Sequence, residues 1–140
     1  MKEKVFFYVV FIGLLFAGLI GVQACVPAKN VLEDTEWQLI TIGKTRMIEG
    51  TQITLHFGSE EVSGNAGCNS YFARYEANRS TLSMDGIGST EMWCMEPEGI
   101  MDQEFLYLNY LSNVDSFSIA DGQLIIVLND GDQLIFEATQ

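Results

Sequence analysis

Residues 52–66, QITLHFGSEEVSGNA, contain two alternating runs with a turn between them. Ile53, Leu55 and Phe57 share one face of the first run, and mostly polar side chains occupy the other. Gly58, Ser59 and Glu60 interrupt the pattern before residues 61–66 resume it, with Val62, Gly64 and Ala66 on one face. Such alternation is typical of a half-buried β-strand. A glycine in a strand often allows another backbone to approach closely. This stretch therefore predicts two strands joined by a turn.

Similar short runs continue on both sides of this stretch. They cover residues 35–41, 71–76, 82–84, 116–119, 124–128 and 134–136. Asn129, Asp130 and Gly131 join the last two, and an Asp-Gly pair is a strong hairpin signal because it tolerates positive φ. About eight short strands predict a mainly β fold, a small antiparallel β-barrel-like domain.

The period of the pattern changes after Pro97, a residue well suited to a first helical turn. Apolar residues then recur at helical spacing: Ile100 or Met101, Phe105, Leu108 and Leu111. We expect one α-helix, ending near residue 112, to pack this stripe on the barrel. Residues 124–128 are apolar at every position, which predicts a strand between the barrel interior and the helix.

Residues 1–24 are predicted to be a lipoprotein signal peptide. Two lysines precede an uncharged, almost wholly apolar run, and residues 22–25 (VQAC) resemble the bacterial lipobox. Cys25 is the predicted lipidation site, residues 25–31 a lipidated tether and residues 32–140 the folded domain. An uncleaved anchor and ordinary secretion are the alternatives, because about 20 apolar residues can span a bilayer. The predicted location is the cell envelope, lipid-anchored to a membrane and facing the periplasm or the exterior.

The composition is strongly acidic. Seven Lys and Arg face 19 Asp and Glu, a formal net charge of -12. Without residues 1–24 the chain keeps 5 basic and 18 acidic residues, a net charge of -13. Neutralising nucleic-acid phosphates requires clustered Lys and Arg. We therefore expect no nucleic-acid partner.

Cys68 and Cys94 are the cysteines that remain when Cys25 carries lipid. Two cysteines outside the cytoplasm most often form a disulfide. Closing a loop of about 26 residues would add about 3 kcal/mol of stability on the entropic model. The alternative is a cysteine nucleophile, which needs a base within reach. The single histidine, His56, falls on the outward face of its strand whereas Cys68 faces inward, which disfavours this alternative.

No motif indicates a metal, a cofactor or a catalytic group. His56 has no His or Cys partner at metal-ligand spacing. Asp121, Asp130 and Asp132 lie in neighbouring hairpin turns but do not match the calcium-binding EF-hand loop. Residues 64–69 lack the lysine and the spaced glycines of a phosphate-binding loop. A glycosidase-like carboxylate pair remains an alternative, although the sequence singles out no pair.

Several segments form a distinctive set. They are Trp37-Gln38-Leu39, Val62-Ser63-Gly64 leading into Gly67-Cys68-Asn69-Ser70-Tyr71, Ser89-Thr90-Glu91-Met92-Trp93-Cys94, and Glu104-Phe105. With the closing run over 124–136, they resemble the META domain of the HslJ-like heat-inducible envelope lipoproteins, over about residues 32–138. The resemblance implies a small barrel-like domain with a helix and a disulfide between Cys68 and Cys94. It also implies a link to heat shock and, in some members, to resistance to a hydrophobic antibiotic. The family has no established catalytic residues, so the resemblance assigns none here.

The predicted function is a non-enzymatic interaction or stress-tolerance module, with a protein or a small hydrophobic ligand as its partner. Large side chains on the inward faces favour a filled barrel. The predicted binding surface therefore lies near Asn69, Tyr71 and Trp93, and an exposed Met and Trp patch around Cys94 would favour a hydrophobic partner. The alternatives are a ligand-binding barrel, a hydrolase that acts through a carboxylate pair, and a structural role.

Overall fold

The fold is known from a computed structural model that describes residues 30–139. This range forms the following strands and helix: β1 Thr35–Ile42, β2 Thr45–Arg46, β3 Thr54–Phe57, β4 Glu61–Asn65, β5 Ser70–Asn78, β6 Thr81–Ser89, α1 Ile100–Leu111, β7 Val114–Ala120, β8 Gln123–Leu128 and β9 Gln133–Ala138. The predicted signal peptide, Cys25 and most of the predicted tether lie outside the described residues.

Eight of the strands close into an antiparallel barrel. Their order is β1, β3, β4, β5, β6, β7, β8 and β9, and β9 then pairs with β1. The two residues of β2 add a short hairpin to the end of β1. The predicted fold class, a mainly β barrel of about eight strands with one helix, is confirmed.

The barrel interior is filled with side chains. Burial alternates along β5 and β8, as a strand with one face inside a barrel requires. The largest fully buried side chains are Tyr71, Tyr107, Phe57 and Phe136. The rings of Phe57 and Tyr75 meet edge to face with their centroids 5.0 Å apart. Eight strands enclose just enough room for such side chains.

The helix α1 lies across one end of the barrel. Its side chains bind three loops: Gln103 Nε2 donates to Thr51 Oγ1 at 2.9 Å, Glu104 accepts from the β4–β5 loop, and the Tyr110 hydroxyl donates to Asp132 Oδ2 at 2.8 Å. Because the strands run antiparallel, these loops share one end of the barrel, which we call the helix end. The hydrogen bonds of α1 therefore place it over the end of the barrel. The outer side chains of β8, Ile125 and Val127, stay half-buried.

The buried face of α1 differs from the predicted stripe. Its buried residues are Ile100, Gln103, Glu104, Tyr107 and Leu111, whereas Phe105 is 74% exposed. The prediction that Phe105 packs on the barrel is wrong, because Gln103 and Glu104 turn inward to bind backbone N–H groups of the loops. Each residue advances a helix by about 100°, so an inward Glu104 directs its neighbour toward solvent. No helix within residues 30–139 has the length and apolar character needed to cross a bilayer.

The pairing between β6 and β7 is much shorter than that between β5 and β6. β6 and β7 share one residue pair, Thr81 with Ser116, next to a hydrogen bond from Phe117 N to Ser80 O at 2.8 Å. β5 and β6 by contrast pair along most of their length. Between β6 and β7 the chain leaves the sheet to form residues 90–113, which include α1.

Candidate functional site

A buried carboxylate joins α1 to the loop between β4 and β5. Glu104 Oε2 accepts hydrogen bonds from Asn69 N at 2.7 Å and Cys68 N at 3.0 Å, and Oε1 accepts one from Asn69 Nδ2 at 2.6 Å. All three donors are peptide or amide N–H groups. Hydrogen bonds to a carboxylate are stronger than neutral ones. This contact therefore fixes the helix on the barrel end.

Asn69 also binds the segment that follows β6. Its Oδ1 accepts from Thr90 Oγ1 and from Met92 N, both at 2.7 Å, and its Nδ2 donates to Met92 O at 3.0 Å. An amide side chain has two donor protons and two acceptor lone pairs, and all four are used within the fold. Asn69 is 2% exposed. It supports the neighbouring loop and does not lie on the predicted binding surface.

Tyr71 likewise lies inside the barrel. Its hydroxyl donates to Thr54 O at 2.9 Å and accepts from the Tyr107 hydroxyl at 2.7 Å. Burial raises the pKa of both phenols above the usual tyrosine value. The predicted surface position of Tyr71 is corrected in the same way as that of Asn69, because the inward alternation of β5 buries its ring.

The close approach predicted for the glycine-rich strand occurs at Gly64. A Cβ at this position would collide with the carbonyl oxygen of Thr54 and lie 3.1 Å from the Tyr71 ring. Only a residue without a side chain allows β3 and β4 to come this close while Tyr71 reaches the Thr54 carbonyl.

Cys68 and Cys94 form the predicted disulfide, with Cα atoms 5.9 Å apart. It links the β4–β5 loop to the segment after β6. Neither sulfur is a free thiol, and His56 lies exposed on β3, opposite Glu36 and Ser63. The structure therefore does not assemble the alternative cysteine–histidine pair.

Trp93 is the member of the predicted binding surface that reaches solvent. Its side chain is 79% exposed, with Met92 and Met95 also exposed on either side of the disulfide. Asn69 binds the backbone of Met92, and Cys94 is held by its disulfide. Trp93, Met95 and Met101 line an open depression of about 300 Å³ at the start of α1. We call Met92, Trp93, Met95 and Met101 the Met-Trp surface.

Two carboxylates line the depression of the Met-Trp surface, and two more belong to the same segment of the chain. Glu98 and Asp102 line the same depression, and Glu91 and Glu96 belong to the same segment. All four side chains are exposed. Residues 80–140 contain no lysine or arginine. The apolar surface is therefore bordered by negative charge that no basic residue of its own segment balances.

The other acidic candidates lie elsewhere. Asp121 belongs to the β7–β8 turn, at the opposite end of the barrel from Asp130 and Asp132, so these three carboxylates do not gather around one cation. A second open depression, of about 430 Å³, is lined by Glu60, Arg74, Tyr75, Glu76 and Asp85. Among the residues of known structure, no group of three or more His, Cys, Asp or Glu has an arrangement that could hold a metal ion.

Comparison with known proteins agrees with this architecture. The family model of the META domain matches residues 30–140. The NMR structure of a protein from Burkholderia xenovorans is similar, with 31% sequence identity, a TM-score of 0.65 and coverage of 78% of this chain and 84% of that one. A second NMR structure shares the fold, with a TM-score of 0.61 and 16% identity over 76% of this chain and 90% of that one. No curated protein matches the chain significantly. Because the family model covers well over half of the sequence, the chain belongs to the META-domain family.

Proposed function

We propose that this protein is a non-enzymatic, lipid-anchored interaction module of the cell envelope that binds a partner protein through the Met-Trp surface. The observation that supports it is the exposure of Trp93 on a fixed backbone. A role in envelope stress or antibiotic tolerance is the physiological part of this proposal, and its support is the resemblance to HslJ-like members of the family.

Rigid support distinguishes Trp93 from an incidentally exposed side chain. Hydrogen bonds hold the backbone on one side of it and a disulfide holds the other, so both neighbours of Trp93 are fixed to the β4–β5 loop. Tryptophan is enriched among the residues that dominate binding energy at protein interfaces. The flanking methionines add flexible side chains that adapt to a partner's shape.

The shape of the molecule favours a protein over a small ligand. The interior is occupied by side chains such as Phe57, Tyr71 and Phe136. The depression beside Trp93 is open and, at about 300 Å³, only as large as the smallest pockets that enclose small ligands. An extended partner would cover Met92, which does not line this depression, together with Trp93 and Met95.

The position of the proposed anchor leaves the Met-Trp surface free to meet a partner. Residues 30–34 lie at the end of the barrel opposite α1, where Asn30 Nδ2 donates to the Tyr75 hydroxyl and Asp34 N donates to Phe57 O. A lipid on Cys25 would therefore hold the far end of the barrel near the membrane and present the Met-Trp surface away from it.

The anchor is tested by intact mass spectrometry of the protein from the membrane fraction. We expect a mass that lacks residues 1–24 and includes acyl chains on Cys25. A Cys25→Ser variant is expected to lose the acyl mass and to leave the membrane fraction. An intact N-terminus in the natural protein would reject the lipoprotein assignment.

Site-specific photo-crosslinking in the native host tests the interaction surface. A photoreactive residue at Met95 is expected to give a discrete protein adduct. The same residue at Ile119, an exposed apolar position near the opposite end of the barrel, is expected to give none. The same adduct from both positions, or none from position 95, would contradict the proposal, and so would hydrolysis of purified cell-wall sugar by the protein.

A further inference from the structure

We infer that the Met-Trp surface receives a cationic amphipathic peptide segment, one in which a row of apolar side chains is flanked by Lys or Arg. This inference rests on the proposed function and specifies the chemistry of the partner at that surface.

The charge around the surface supports a basic partner. Glu98 and Asp102 border the depression itself, and Glu91 and Glu96 flank it in the sequence. Opposite charges across an interface steer association and exclude partners of the wrong sign. A segment with Lys or Arg beside its apolar residues would place those cations against these four carboxylates.

Of the basic residues within the described range, Arg79, Arg74 and Lys44 lie away from the surface. Arg79 occupies the β5–β6 turn at the opposite end of the barrel, and Arg74 lines the second depression with Glu60, Glu76 and Asp85. Lys44 and Arg46 belong to the β1–β2 hairpin near the last turn of α1, where a Cβ on Gly43 would lie 3.1 Å from the Tyr110 hydroxyl. The depression lies at the first turn of the helix, about 13 Å from its last turn along the axis. Arg46 is the nearest of these residues in the sequence, because Ile48, two residues later, lies against Gly99 at the depression.

The apolar residues of the surface are placed to contact a row of apolar side chains on a partner peptide. Trp93, Met95 and Met101 line one depression, and Phe105 follows Met101 by four residues on the same side of α1. Phe105 is strongly exposed, so it extends the apolar surface along the helix. The indole of Trp93 also attracts cations to its ring face, an interaction that favours Lys or Arg next to the apolar row.

Two other occupants fit these observations less well. A bilayer with anionic lipids would repel the four carboxylates, and the proposed tether leaves from the far end of the barrel. A second copy of the chain without residues 1–24 would bring a further formal charge of -13 against the acidic border. The peptide segment is the occupant that satisfies both the apolar and the charged groups.

Fluorescence titration with synthetic peptides tests the inference. The probes are an amphipathic helix of Leu and Lys, the same helix with Glu in place of Lys, and a Lys helix with Ser in place of Leu. The full chain is held in nanodiscs of zwitterionic lipid, and empty nanodiscs are the blank. Because Trp37 is buried and Trp93 is exposed, a blue shift of tryptophan emission on binding reports on Trp93. We expect the Leu-Lys helix alone to produce this shift, and the W93F variant to lack it.

Matched variants separate the contribution of the apolar residues from that of the carboxylates. In these experiments, binding is measured from a fluorescent dye on the peptide. Trp93→Ala is expected to weaken binding of the Leu-Lys helix at least about tenfold. Glu98→Gln combined with Asp102→Asn is expected to weaken it about fivefold and to reduce its salt dependence. Ile119→Ala, an exposed apolar truncation elsewhere, is expected to leave binding unchanged. Unchanged circular dichroism and unfolding midpoints would show that each variant is folded.

The outcomes distinguish this inference from the proposed function. Equal binding of the Lys and Glu helices, or no loss in the double charge variant, would overturn the basic partner. No binding of the Leu-Lys helix, together with a protein adduct at position 95, would overturn the partner chemistry and leave the interaction module standing. If neither binding of the Leu-Lys helix nor a protein adduct at position 95 is observed, both proposals are rejected. A shift caused by anionic vesicles but not by the peptide would assign the surface to a membrane and overturn the inference.

Discussion

At the scale of single residues, Glu104 fixes α1 to the β4–β5 loop at the helix end of the barrel. Its two oxygens bind both peptide N–H groups of Cys68 and Asn69 and the side-chain amide of Asn69. The same carboxylate positions α1, orients Asn69 and, through Asn69, holds Met92. Glu104, although it is buried, therefore supports the exposed Met-Trp surface indirectly, through Asn69 and Met92.

Glu104→Gln is expected to lower the free energy of unfolding by about 3 kcal/mol. The new amide group can turn only one oxygen toward the N–H donors and brings an N–H₂ group against the others. Glu98→Gln is the matched control, since Glu98 is exposed beside the same helix, and its effect is expected to stay within about 0.5 kcal/mol. Urea denaturation of both variants measures the difference. Equal stabilities would show that the carboxylate hydrogen bonds contribute nothing net.

At the scale of elements, the segment between β6 and α1 is attached to the β4–β5 loop in two independent ways. Asn69 binds Met92, and Cys94 is covalently joined to Cys68. The first attachment is polar and local, whereas the second acts mainly by restricting the unfolded chain.

Replacing Cys68 with Ala and Cys94 with Ser is expected to reduce the free energy of unfolding by about 3 kcal/mol. The Asn69 contacts remain, so the Met92 amide is expected to stay protected from hydrogen exchange in the folded variant. Chemical denaturation and exchange mass spectrometry check the two parts. Loss of Met92 protection at unchanged global stability would contradict this division of roles.

The strands could be predicted from the sequence because inward and outward residues alternate, as Ile53, Leu55 and Phe57 show. The buried face of α1 could not. Hydrophobic periodicity places Phe105 inside and Glu104 outside, but the loop N–H groups need an acceptor, and satisfying them outweighs burying a ring. The burial of Asn69 could not be predicted either, because its hydrogen-bond partners lie far away in the sequence. Trp93 is exposed, in line with the expected Met and Trp patch around Cys94.

At the scale of the whole molecule, the Tyr71–Tyr107 pair makes stability depend on alkaline pH. Burial raises the pKa of both phenols in the folded state, whereas in the unfolded chain they ionise near pH about 10. The folded state thus holds protons that the unfolded state loses. The stabilisation is fully present below pH about 10 and declines as the pH rises further.

The free energy of unfolding is therefore expected to fall by about 1.4 kcal/mol per pH unit for each of the two tyrosines above pH about 10. Tyr107→Phe removes one of them and keeps the hydrogen bond from the Tyr71 hydroxyl to Thr54 O, so the slope is expected to become shallower by about 1.4 kcal/mol per pH unit. Urea denaturation across the alkaline range measures both slopes. An identical slope in the variant would show that Tyr107 ionises as freely in the fold as outside it.

The pairing of β1 with β9 has a consequence for how the chain must assemble. Trp37 lies opposite Ala138, so the contact that completes the ring joins residues about 100 positions apart in the sequence. A nascent or translocating chain that has not yet delivered Gln133–Ala138 has an open edge on β1 and another on β8. Open strand edges are templates for pairing with other chains. We therefore expect a chain that lacks β9 to pair with its own copies more readily than the complete chain does.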